Sequence, residues 1–132
     1  MKKLLAFLLF GLLLTPSTLA APAAADLLTI AADAMQQADN AEDEDSRRDA
    51  LQRALAAYRT IETEHGRTSE ALHVAAGAAA MLLEDLGRAV LEYRRALQID
   101  PTSDRAAAGL EAARALVGVS TPRSVGSRVA SA

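Results

Sequence analysis

Two residue pairs have the spacing of metal ligands on a helix. Glu62-x-x-His65 and Glu70-x-x-His73 each place a carboxylate and an imidazole one turn apart. Di-iron and di-manganese helical bundles use such i, i+3 pairs together with two further inward glutamates from other helices. His65 stands beside Gly66, where a helix is expected to end, and His73 falls in a position expected to pack between helices. The pairs therefore read as one surface histidine and one partly buried one. The acidic run Glu42-Asp43-Glu44-Asp45 is the other candidate. A calcium loop wraps oxygen ligands around a glycine turn, and no glycine is near, so this run reads as a solvated loop. The chain has no cysteine, which removes disulfides and thiol chemistry. It shows neither a glycine-rich phosphate loop nor a plausible Ser/His/Asp set. The expectation is a non-enzymatic protein with no cofactor and no metal site, a metal-binding helical bundle being the outside reading.

Helices must position whatever these residues do. Alanine, the best helix former, is abundant, and no credible strand is present, so the fold class is all-α. A first helix is expected from about Asp26 to Asn40, with Leu28, Ala31, Ala32 and Met35 as one apolar stripe. Ser46, followed by Asp49, resembles a helix start. The second helix then runs to about Glu64 on the stripe Leu51, Ala54, Leu55, Tyr58 and Ile61, and His65-Gly66 ends it. Thr68-Ser69-Glu70 opens a third helix to about Glu84, with Leu86-Gly87 as a tight turn. A fourth runs from about Arg88 to Ile99 and stops at Asp100-Pro101. Thr102 or Ser103 caps a fifth, to about Val117. Residues 118–132 lack apolar periodicity and read as a disordered tail. Short turns between such helices make neighbours antiparallel.

The chain opens with Met1-Lys2-Lys3, a continuous apolar run of 11 residues from Leu4 to Leu14, and then small residues around Pro16. This order matches a secretory signal peptide, and the run is shorter than the ~20 residues of a bilayer span. Thr18-Leu19-Ala20 favours cleavage after Ala20, so residues 1–20 are the expected signal peptide. A cut after Ala23 and retention as an anchor are the alternatives. The expected location is periplasmic or secreted, with no stable membrane span after cleavage. Past Ala20 the chain carries 17 acidic residues against 12 arginines, a net charge of −5. That balance argues against nucleic acid and against a polybasic membrane patch.

An internal repeat separates a solenoid from a plain bundle. Tetratricopeptide units of ~34 residues carry W-x2-L-G-x2-Y, then A-x3-F, then P. Here His73-x2-Ala76-Gly77-x2-Ala80 is followed by Ala89-x3-Tyr93, Ala96 and Pro101, within 34 residues from Glu70 to Ser103. A degenerate copy over 26–66 carries Leu28-x2-Ala31-Ala32-x2-Met35 and Ala54-x3-Tyr58-x2-Ile61. The chain thus resembles a tetratricopeptide repeat protein, with about two repeats (26–66 and 70–103) plus a terminal helix (104–117). The stretches LGRA, YRRAL, DP and LEAAR, behind a signal peptide, are similar to the exported BatE-type repeat proteins of bacterial aerotolerance operons. The resemblance implies that His73, Ala76, Gly77, Ala80, Ala89, Tyr93, Ala96 and Pro101 are packing residues. It implies a partner groove lined by Ala71, Val74, Ala78, Met81 and Leu82, joined by Arg105 and Ala108. Repeats that clamp a terminal carboxylate use Lys and Asn there. The expected mature chain has no Lys, and its single Asn, Asn40, lies elsewhere.

The functional expectation is an exported adaptor or scaffold that holds an envelope or periplasmic protein in an apolar groove. The alternative is a structural helical domain that assembles with itself. With about two repeats, where solenoids usually need ~3, a homo-oligomer or a bound partner is expected to supply the missing burial.

Overall fold

Alanine content and carboxylate or hydroxyl caps define five helices in the computed structural model, which describes residues 22–120. They are α1 (Ala24–Asn40), α2 (Glu44–His65), α3 (Glu70–Leu82), α4 (Leu86–Ile99) and α5 (Asp104–Ser120). Each start has a side-chain acceptor for an otherwise orphaned backbone N–H. Asp26 accepts from Ala23 N–H at 3.2 Å, Asp43 from Ser46 at 2.8 Å and Ser69 from Leu72 at 3.1 Å. Asp85 accepts from Arg88 and Ser103 from Ala106, both at 3.1 Å. The expected signal peptide and residues 121–132 lie outside the described residues.

Three local expectations change. Asp43, not Ser46, caps α2, so Glu44 and Asp45 belong to its first turn, where carboxylates favour the helix dipole. Leu86 and Gly87 are the first residues of α4 rather than a turn. The chain reverses at Leu83-Glu84-Asp85 instead, with Glu84 at φ 60°. The fifth helix continues past Val117 to Ser120, so residues 118–120 are helical. Gly66, at φ 58°, closes α2 as expected.

The helices form antiparallel neighbouring pairs, α1 with α2 and α3 with α4. The last helix, α5, packs on α4 and to a lesser extent on α3. Leu27 and Ala31 of α1, Ala57 and Ile61 of α2, and Leu72 of α3 form the cluster that joins the two hairpins. Most of the deeply buried positions are alanines: Ala31, Ala54, Ala79, Ala80, Ala89, Ala96, Ala106 and Ala113 are each 0% exposed. Methyl groups at these positions let the helix backbones approach closely. The face of α1 differs from the expected one. Leu27, Ala31, Ala34 and Ala38 are buried, whereas Leu28 is 49% exposed and Ala32 is exposed.

Tyr93 is the large element in this alanine-lined interior. Its ring joins Ala80, Ala89, Leu110 and Ala113, with half-buried Val74, Met81, Val90 and Leu97 around it. A Cβ added at Gly77 would lie 2.9 Å from the ring, and one at Gly109 would lie 2.3 Å from it. Both glycines therefore make room for the tyrosine. At Gly118 an added Cβ meets nothing within 4 Å.

Gly109→Ala is expected to lower unfolding stability by about 1–3 kcal/mol through overpacking. Gly118→Ala should instead raise it by about 0.5–1 kcal/mol by removing unfolded-state freedom. Glu84→Gly should relieve the left-handed backbone and gain up to about 1 kcal/mol. Denaturant titration of the three variants followed by circular dichroism checks the order.

Candidate functional site

His73 enters the interior because it lies on the same face of α3 as Ala76, Gly77 and Ala80. It is 3% exposed, so both ring nitrogens need partners. Nδ1 meets Glu92 Oε2 at 2.8 Å, and Nε2 meets Thr68 Oγ1 at 2.8 Å. With Nδ1–H donating to the carboxylate, the threonine hydroxyl can donate to Nε2 of a neutral ring. Glu92 is itself 5% exposed, and its other oxygen lies 3.6 Å from Arg95, which also pairs with Glu62 at 3.6 Å. A polar chain thus runs from Thr68 through His73 and Glu92 to Arg95 and Glu62. It ties α4 to α3 and α2.

This arrangement uses up its own polar groups. Thr68, His73 and Glu92 hydrogen-bond one another in the order hydroxyl, imidazole, carboxylate, the order in which an oriented base activates a hydroxyl; no such set was evident in the sequence. The two Glu-x-x-His pairs do not converge. Glu62 turns to Arg95, and Glu70 turns to Ser103 and to Arg105, the latter at 2.8 Å. His65 ends α2 with Nε2 buried and without a hydrogen-bond partner. Among the described residues no group of three or more His, Asp or Glu side chains is placed to hold a metal ion.

Two clefts flank the hairpin junction. One, of about 460 Å³, lies between α2 and α4. Leu55, Tyr58, Leu72 and Ala76 contribute apolar lining, His73 and Glu92 also line it, and Arg59, Arg88, Leu91 and Arg95 stand along it. The other, of about 650 Å³, lies between α1, the end of α2 and α3, and is lined by Ala24, Leu28, Ala32, Tyr58, Ala71 and Ala75 among others. Of the residues expected to line a partner groove, Ala71 lies in this second cleft. Val74 and Met81 instead pack against the Tyr93 cluster. Ala78 is half-buried, while Leu82, Arg105 and Ala108 are exposed at other places on the surface. The residues expected to pack the repeat, His73, Ala76, Gly77, Ala80, Ala89, Tyr93 and Ala96, are buried; Pro101 is exposed.

Leu28, Ala32 and Ala75 were not among the expected groove residues. The sequence does carry a signal for the first two. The series Ala24, Leu27, Ala31, Ala34, Ala38 continues at helical spacing for the length of α1, whereas the competing stripe Leu28, Ala31, Ala32, Met35 reaches Asp39. The longer stripe is the buried one, which leaves Leu28 and Ala32 at the cleft. Glu92 also left a trace, because it falls between Ala89, Tyr93 and Ala96 on the apolar face of α4. A carboxylate there requires a buried partner.

Burial raises the phenols of Tyr58 and Tyr93 above the usual value of 10.0. The neutral phenol is the favoured folded form, so their contribution to stability is complete below pH ~10 and is lost as pH rises through the folded values. Hydrogen bonds from Ser46 hold the Asp43 carboxyl below its ordinary range, and those from Thr102 do the same for Asp100.

In comparisons with known proteins, the chain matches no family model, no curated protein and no solved structure. No described helix is long and apolar enough to cross a membrane.

Glu92→Ala should cost about 1–3 kcal/mol by leaving His73 Nδ1–H buried without its acceptor. Glu92→Gln, whose amide oxygen still accepts, should cost less. Urea unfolding of both variants at neutral pH tests the role of this contact.

Proposed function

We propose that the chain is an exported, non-enzymatic adaptor of the tetratricopeptide type, acting in the periplasm or cell envelope and holding an apolar segment of another protein. The observation that carries this reading is the α1–α3 cleft. Leu28, nearly half in water, stands there beside Ala32, Ala71 and Ala75, with the half-buried ring of Tyr58 among the lining residues. Small side chains leave room for a guest, and Leu28 and Tyr58 offer it apolar contact. Such a surface suits an amphipathic helix or an extended segment inserting large side chains. The signal-peptide-like order of residues 1–20, and the resemblance of LGRA, YRRAL, DP and LEAAR to exported BatE-type proteins, support a location in the envelope. A self-assembling structural domain is the second reading, favoured by Ile30 and Leu91, each 47% exposed outside this cleft.

A photo-crosslinking residue at Ala75 is expected to give a discrete adduct with one envelope protein when the chain is expressed in its host. Leu28→Glu should reduce that adduct at least ~tenfold, because a bound partner would have to bury the new carboxylate. An adduct yield indifferent to Leu28→Glu would exclude this cleft as the binding face.

A further inference from the structure

Charge is unevenly distributed over the helices. From Pro22 to Asp43 the chain carries Asp26, Asp33, Asp39, Glu42 and Asp43 and no basic residue, while α4 carries Arg88, Arg94 and Arg95 against Glu92 alone. At 100° per residue, Asp26, Ile30 and Asp33 form one stripe on α1. It lies on the flank away from Leu28 and Ala32. Ile30 is 47% exposed, and the Asp33 carboxylate has no cationic partner among the described residues. This is an apolar side chain between two carboxylates that the described residues leave half in water.

The α2–α4 cleft offers the complement. Arg95 is neutralised by Glu62 and Glu92, but Arg59 and Arg88 form no ion pair among the described residues. Both line this cleft and the adjoining one further along α2 and α4. Beside them stands Leu91, 47% exposed, with Leu55 and Tyr58 as apolar lining. Gly87 also lines the cleft, and a Cβ added there would meet nothing within 4 Å. Unlike Gly77 and Gly109, it makes room for no neighbour within the fold, and its missing side chain widens the entrance.

We propose that copies of this chain associate head to tail, the Asp26–Ile30–Asp33 stripe of one copy seating in the α2–α4 cleft of the next. Ile30 packs against Leu91, and the two carboxylates meet Arg59 and Arg88. The stripe and the cleft are different surfaces of the same molecule, so one contact leaves a free stripe and a free cleft, and further copies added at these build a chain or a ring. The cleft around Leu28 and Ala75 lies on the other flank of α1, shares only Tyr58 and Leu72 with the α2–α4 cleft, and is probed by a separate crosslink, so the two readings stand or fall separately.

Two differently tagged copies of the full chain, co-expressed and captured through one tag, test the contact. Wild-type copies should co-capture, with recovery falling as salt is raised. Asp33→Arg carried by both copies, or Arg88→Glu carried by both, should reduce recovery at least ~tenfold, because each sets like charges face to face. Pairing one Asp33→Arg copy with one Arg88→Glu copy should restore it. Ile30→Ser in both copies should lower recovery without altering charge, and circular dichroism of each variant should show unchanged helix content. The proposal is overturned if wild-type copies do not co-capture, if either reversal leaves recovery unchanged, or if the mixed pair fails to restore it.

Discussion

The ring of Tyr93 wedged over Gly77 and Gly109 is the contact on which the second half of the molecule depends. It brings α3, α4 and α5 to a common point, and it can do so only because two of those helices present no side chain there. An aromatic ring placed against bare backbone supplies a large contact area at a single locus. Around it, Ala80, Ala89 and Ala113 hold the helices close enough for the ring to touch all three. A methyl group added at either glycine would set the ring against the wall it packs on.

The first half has no equivalent wedge. Its interior consists of Leu27, Ala31, Ala57 and Ile61, capped by Leu72 from the next hairpin. Tyr58 reaches only partial burial there and lines both clefts. The two halves are tied by this apolar cluster and by the polar chain from Thr68 to Glu62. A buried histidine and glutamate in contact do not by themselves guarantee added stability. They do join one defined position of α3 to one of α4 across surfaces otherwise lined by methyl groups.

Much of this was legible in the sequence. The Ala89, Tyr93 and Ala96 spacing placed the buried face of α4, and Gly66, Ser69 and Asp100-Pro101 marked boundaries through ordinary capping and proline chemistry. The face of α1 was harder to read because alanine is nearly neutral as a burial signal, so two stripes one residue apart both looked apolar. The turn at Glu84 was hidden because a glutamate is not the residue expected at positive φ. Gly109 gave no local sign of its role, which exists only once α5 crosses Tyr93. The expected groove lay on α3 and α5, and it failed because Val74 and Met81 of α3 pack on the Tyr93 cluster, while Leu28 and Ala32 reach the cleft from the face of α1 that was expected to be buried.

Helices joined in order by turns of three or four residues have a kinetic consequence. Each helix packs chiefly on the ones adjacent to it in the chain, and among the described residues the farthest-reaching polar tie joins Glu70 to Arg105, 35 positions away. Little loop entropy opposes these contacts. Topologies dominated by such local contacts fold in microseconds to milliseconds, so each hairpin can assemble as soon as its second helix is available, without waiting for the far end of the chain.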